Sequence, residues 1–240
     1  MAERVAVGRL AGLWRYPVKS MAGEALPQAE VSWFGVAGDR RWAFVRPGLA
    51  GSGFPWLTLR EQPALRHHRP HFVEPDRPDH SATRVHTPAG EAFDITDPAL
   101  AAQLGDGVRV MRQDRGIFDT FALSLLSLQS IAAMQALCDT PLDVARFRPN
   151  LLLDATGVEP FPEDAWLGAV LHVGTLGLRV DKRDGRCAVI TIDPQSGERN
   201  PAILRAVTAQ RQGCLGVYGS TVQPGRVAVG DTVWLELAAQ

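Results

Sequence analysis

The sequence is poor in cysteine, in lysine and in uninterrupted apolar runs, and each shortage closes off a class of protein. Three cysteines, Cys138, Cys187 and Cys214, stand far apart in 240 residues. An odd, widely spaced set does not make a disulfide scaffold. It fits a reducing compartment, with the cytoplasm as the default, where a single thiolate can serve as nucleophile or metal ligand. The opening MAERVAVGRL lacks the apolar core of a secretory signal, and no stretch reaches the ~20 apolar residues of a membrane-crossing helix. The richest candidate, FALSLLSLQSIAAMQAL, is broken by Ser and Gln. The formal net charge is −1, so no global field draws the chain to nucleic acid or to an anionic membrane, and neither is expected as a partner. Of the 25 basic residues only Lys19 and Lys182 are lysines. So strong a bias is that of a genome's composition, and abundant arginine carries no message about phosphate binding. The two lysines are either incidental surface charges or positions where a compact point charge matters.

What is present is strand. VAVGRLAGLWRYPV, ALPQAEVSWF, RWAFVRP, TRVHTPAG, GVRVMR, NLLLDA, AVLHVGTLGLRV, CAVITID, CLGVYGSTV and RVAVGDTVWLEL are short, rich in Val, Leu, Trp and Thr, and separated by Gly, Pro and Asp-Gly. Many short, closely spaced strands point to a barrel or sandwich rather than to alternating βαβ units. Helices are expected over TDPALAAQL, with Thr96 or Asp97 as N-cap, over SLQSIAAMQALC and over PAILRAV. On the middle helix Leu128, Ile131, Met134 and Cys138 share a face, which makes Cys138 a core thiol. The composition turns more apolar near residue 115, dividing a strand-rich N-terminal part, residues 1–115, from a C-terminal barrel with helices, residues 116–240.

The chemistry-bearing residues cluster in short strings. In RFRPN, GRCAVITIDPQSG and LGVYG, Cys187 follows Arg186 at the start of an apolar strand, with Lys182 and Arg183 just before. Cations favour a thiolate, which can ligate a soft metal, but a cysteine entering an apolar strand is also an ordinary small core residue. YPVKS and GDRRW add Lys19, Ser20 and Arg40, which with Arg148 and Arg186 compose either a clamp for phosphate or pterin or a set of surface cations. His67, His68 and His71 invite a metal reading, without a fourth ligand at zinc-site spacing. Cys214, four residues before Tyr218, is either near a site or packed in the core.

The ordered set YPVKS, GDRRW, TLREQPAL, FRPN, RC-x5-DP-x-SG, GVYG and VGD, spanning about Val5 to Glu236, resembles the MOSC superfamily. It looks most like members carrying an additional N-terminal β-barrel region, as the mitochondrial amidoxime-reducing component and its bacterial relatives do. The resemblance implies a mainly β fold with a few helices: a MOSC-type β-barrel in the C-terminal part and the N-terminal β-barrel region before it. It implies a molybdenum cofactor, a molybdopterin-bound metal, with Cys187 as the metal ligand and catalytic residue. Cofactor contacts would fall to Lys19, Ser20, Arg40, Thr120, Arg148, Asn150, Arg186 and Tyr218, with Asn150 facing the pterin and Tyr218 lining the site. Lys182 matches a basic position upstream of the cysteine. Asp184 and Met21 stand where related sequences often have cysteine. The chain is expected to lack both the iron–sulfur domain of some bacterial relatives and the aminotransferase-like domain of a complete cofactor sulfurase.

The implied activity is reduction of an N-oxygenated, N-hydroxylated small molecule with electrons from an external donor, a ferredoxin-like protein or a flavin reductase. The rivals are a non-catalytic carrier of cofactor, or of sulfur as a Cys187 persulfide, and a barrel that keeps the fold without binding a cofactor.

Overall fold

The structure is a computed structural model and describes residues 3–49, 51–157 and 159–237. Its described residues fall in two compact units. One is built from the chain up to Trp14, from Ala25–Ala37 and from Thr120 onward; the other comprises Arg15–Glu24 and Gly38–Asp119. Both units are therefore discontinuous in sequence. The reason is strand pairing: Gln28–Ser32 pairs with Gly35–Val36 on one side and with Gly225–Ala228 on the other. That binds an early segment into the later unit.

The first unit contains a closed barrel of seven strands. The long strand Arg4–Arg15 pairs antiparallel with Leu151–Ala155 on one edge and with Thr232–Glu236 on the other. From Leu151–Ala155 the ring runs through Leu123–Ser127, Cys214–Gln223, Leu176–Gly185 and Val170–Val173 back to Thr232–Glu236. Leu123–Ser127 and Leu151–Ala155 run parallel. Parallel neighbours need a crossover, and a helix in the intervening chain supplies it.

Alternation fills the barrel. Leu123, Leu125, Leu151, Leu153, Leu178 and Val180 belong to one buried cluster, each aliphatic worth roughly 1.5–3 kcal/mol of burial. Residues on the opposite pleat, such as Leu126, Leu152 and Leu215, are covered by helices. Three helices are present among the described residues: α1 (Pro98–Leu104), α2 (Leu128–Cys138) and α3 (Pro201–Arg211). Ser127 caps α2 by accepting from Ser130 N, and Asp139 ends it in the left-handed conformation. Ile131 and Met134 are buried as the wheel predicts, Cys138 packs partly buried beside them, and Leu128 is exposed. The third helix is longer than PAILRAV, because Asn200 caps it and Pro201 opens it, and it runs until Gln212 turns left-handed.

One expected strand is absent. CAVITID forms a 3-10 turn over Ala188–Thr191, closed by Ile190 N donating to Cys187 O and by the Thr191 hydroxyl donating to Ala188 O. Ile190 and Ile192 are buried all the same, so the apolar run marks burial and not extension.

In the second unit Trp42–Val45 pairs with Arg109–Arg112, and Arg69–Phe72, Thr83–His86 and Ala92–Asp94 form a three-stranded meander. His71 stacks on His86 with centroids 5.0 Å apart. His68 is buried, and burial pushes its pKa down. Among the described residues no group of three or more His, Cys, Asp or Glu could hold a metal ion, and no helix is long and apolar enough to cross a membrane.

Candidate cofactor site

Cys187 lies just past the end of the Leu176–Gly185 strand, as the residue from which the Ala188–Thr191 turn starts. It is a free, exposed thiol. The register between Leu176–Gly185 and Cys214–Gln223 slips between Val180 and Lys182 and again between Arg183 and Gly185. Such irregularities bend a strand and end its pairing. They turn Asp184 inward, where it is 1% exposed, and release the chain so that Cys187 faces solvent.

Arg186 is not a free cation. Its side chain is 6% exposed, with Nε donating to Leu215 O at 2.8 Å, Nη1 donating to Phe147 O at 2.9 Å, and Nη2 3.0 Å from Asp184 Oδ2. Two of its donors hold Leu215 O and Phe147 O while Nη2 faces Asp184, so the side chain fixes the backbone beside the cysteine. Asn150 is likewise structural. It is 1% exposed; its Nδ2 donates to Trp14 O at 3.2 Å and its Oδ1 accepts from Ser124 N at 3.2 Å. The pterin-facing role expected of it has no support from this geometry, because both ends of the amide join barrel strands.

Tyr218 is half-buried and stacks on Phe121, centroids 5.9 Å apart. Lys182 is its cross-strand partner and places Nζ 5.4 Å from the Phe121 ring centre. Lys182 and Tyr218 thus meet at one aromatic ring, and the exposed Thr120 immediately precedes it in the chain.

The second unit holds its own cationic cluster. Lys19, 7% exposed, donates from Nζ to Ile117 O at 3.2 Å and pairs with Asp119. Arg40 pairs with Asp39 and lies over the Tyr16 ring at 4.6 Å. Burial works against its charge, but Asp39, Tyr16 and Asp119 outweigh it and raise its pKa. Asp39 Oδ1 accepts from Tyr16 N at 2.7 Å, which fixes the cluster to the backbone.

Six non-glycine residues among those described have positive φ, and three of them are Ser20 (69°), Arg40 (50°) and Arg148 (53°). Left-handed conformations cost L-residues energy and are uncommon outside Asn, Asp and Gly. Strain of that kind concentrates where side chains are aimed for a task. Sequence reasoning missed Ser124, Arg146 and the inward turn of Asp184. Nothing local signals the Ser124–Asp184 and Arg146–Asp193 contacts, because the partners lie 60 and 47 residues apart.

The first unit contains a closed seven-strand barrel with an exposed cysteine just past the end of one of its strands. Residues 111–234 match the MOSC domain family and residues 7–121 match the MOSC N-terminal beta barrel domain. The chain belongs to the MOSC family. It is 30% identical over 266 residues to a molybdenum cofactor sulfurase from Drosophila grimshawi, which covers 91% of this chain and 33% of the sulfurase. The chain thus spans about a third of that relative. It is 25% identical over 292 residues to mitochondrial amidoxime-reducing component 1 from Homo sapiens, covering 95% of this chain and 83% of that protein. Among solved structures, the YUAD protein from Bacillus subtilis matches over 100% of both chains, with a TM-score of 0.56 at 13% identity, a likeness of fold.

Proposed function

We propose that this chain is a molybdenum-cofactor-binding oxidoreductase that reduces N-oxygenated small molecules, such as N-hydroxylated bases, with electrons from an external ferredoxin-like or flavin-containing donor. The observation that carries the reading is the solitary thiol. Cys187 offers one exposed sulfur, and among the described residues no cluster of side chains could complete a metal site around it. A soft sulfur donor alone fits a metal whose other ligands come from an organic cofactor rather than from the protein. When bound, a molybdenum cofactor supplies the oxygen-atom and electron chemistry.

The chain's own residues do the rest. Cys187 supplies the protein sulfur. Arg148 in the first unit, strained into a left-handed backbone, offers a guanidinium to a phosphate oxygen, and the Lys19 and Arg40 cluster, taken by itself in the second unit, offers an ammonium and a guanidinium. Ser20 and Thr120 offer hydroxyls, and Tyr218 with Phe121 offers a flat face to a planar substrate. The likeness to an amidoxime-reducing component along almost the whole of both chains supports the reductase reading.

The test is metal analysis of protein purified from a host competent to make the cofactor. About one molybdenum per chain is expected there, and essentially none from a cofactor-deficient host. Stoichiometric zinc or iron with no molybdenum overturns the reading. A carrier of cofactor or sulfur is the second reading, favoured by the exposure of Cys187 and by the likeness to cofactor sulfurases. It requires a persulfide on Cys187 by mass spectrometry and no turnover by molybdenum-loaded protein.

A further inference from the structure

We propose that Asp184 is a positioning residue for Cys187, acting through Arg186. The ligand role of Cys187 rests on the function proposed above; the positioning rests on geometry in the free protein.

Asp184 and Arg186 form an ion pair in which both side chains are nearly closed to solvent, 2% and 6% exposed. A buried pair of this kind contributes little net stability, because the cost of desolvating two charges offsets their attraction. What it does contribute is direction. Ser124 Oγ donates to Asp184 Oδ2 at 2.9 Å, which ties the carboxylate to the neighbouring Leu123–Ser127 strand. That same oxygen lies 3.0 Å from Arg186 Nη2 and draws one corner of the guanidinium towards it. The remaining corners are then aimed at Phe147 O and Leu215 O, one on each side. The planar fork of arginine permits this only in one orientation.

The backbone completes the lock. Arg186 N donates to Gly213 O at 2.8 Å, the last tie before the chain reaches Cys187. The approach of the guanidinium is built into the facing strand as well. Gly216 has φ +74°, and a Cβ there would lie 3.2 Å from Arg186 Nη2 and 2.6 Å from Leu125 O. A side chain at that position is excluded on both counts. Cys187 itself is exposed and stands between Arg186, tied through its backbone and side chain, and the Ala188–Thr191 turn. The carboxylate three residues upstream therefore sets where the thiol stands.

The experiment measures site-resolved alkylation of Cys187 by iodoacetamide in cofactor-free protein well below its melting temperature, with Cys138 and Cys214 as internal controls. It also measures the molybdenum retained after gel filtration of protein from a cofactor-competent host. Asp184→Asn keeps the volume and the bond to Ser124 but removes the charge. It is expected to speed Cys187 alkylation about five-fold, as one freed restraint allows, with the two controls unchanged, and to lower retained molybdenum about ten-fold. Asp184→Glu should restore part of both effects. Ser124→Ala should move both readouts the same way by less, and it serves if Asp184→Asn does not fold.

A merely structural carboxylate would lower the melting temperature and leave both readouts at wild-type values; that result overturns the proposal. If wild-type protein retains no molybdenum while Asp184→Asn still changes Cys187 alkylation alone, the function falls and the positioning stands. If molybdenum is bound normally by wild type, Asp184→Asn and Ser124→Ala, and Cys187 alkylation is unchanged in both variants, the positioning falls and the function stands.

Discussion

Arg146 and Asp193 form an ion pair that ties the segment carrying Arg148 to the turn that follows Cys187. The Arg146 side chain is 6% exposed, and its Nη2 meets Asp193 Oδ2 at 2.5 Å. Its Nη1 donates to Thr191 O at 3.4 Å. The other oxygen of Asp193 accepts from Gln195 N and Ser196 N, each at 2.9 Å. Two loops distant in sequence thus share one carboxylate.

That carboxylate gives an acid-dependence of known sign. The Ser196 amide holds Asp193 below its ordinary value of 3.8, joined by the Gln195 amide and Arg146 and opposed by burial. The unfolded chain therefore binds the proton more readily. Asp193 contributes stability that is present above pH 3.8 and is lost as pH falls through its lower folded value. Asp193→Asn is expected to flatten this part of the acid limb in urea midpoints compared between about pH 5 and pH 3. A limb as steep as that of wild type would remove Asp193 from the account.

Cys187→Ser should abolish reduction of a panel of N-hydroxylated bases and amidoximes by reduced viologen, which bypasses the protein donor. Much of the pterin should remain bound. Serine is close to cysteine in size, and the site is exposed, so a cavity cannot explain the loss. Turnover that survives the substitution refutes the ligand role.

Arg148→Ala and Lys19→Ala should each weaken cofactor retention about ten- to a hundred-fold, the loss of a charge-assisted contact worth roughly 1.5–3 kcal/mol. Circular dichroism should be unchanged. If both variants keep molybdenum like wild type through gel filtration, neither residue binds phosphate.

Asn150→Ala should behave differently. It strands Trp14 O and Ser124 N inside the barrel wall, at a cost of about 2–4 kcal/mol, seen as a lower melting temperature. Molybdenum per folded molecule should stay at the wild-type level. Loss of molybdenum without loss of stability would return Asn150 to the cofactor.

The contrast between these variants shows what the sequence made legible. The barrel strands and the middle helix follow from local pattern: alternation, capping and punctuation act over a few residues. The bonds that tie Asn150 to Trp14 and Ser124 were not legible, because a short amide in a motif looks the same when it faces a ligand or when it bridges strands; Trp14 is 136 residues away. CAVITID was misread because β-branched residues report burial, and Ile190 is buried in a 3-10 turn. The early segment Ala25–Ala37 joins the later unit through pairing with Gly225–Ala228, a relation no linear pass along the chain contains.

The strand Arg4–Arg15 precedes both of its barrel partners in the chain, one at Leu151–Ala155 and the other at Thr232–Glu236. As the chain leaves the ribosome, this strand has an unpaired edge until nearly all of the sequence exists. The ring cannot close before its last strand arrives. Closure is then a late, non-local event that pays the entropy of a very large loop at once. A ribosome stalled before residue 232 would present an open sheet with a ready edge for other chains.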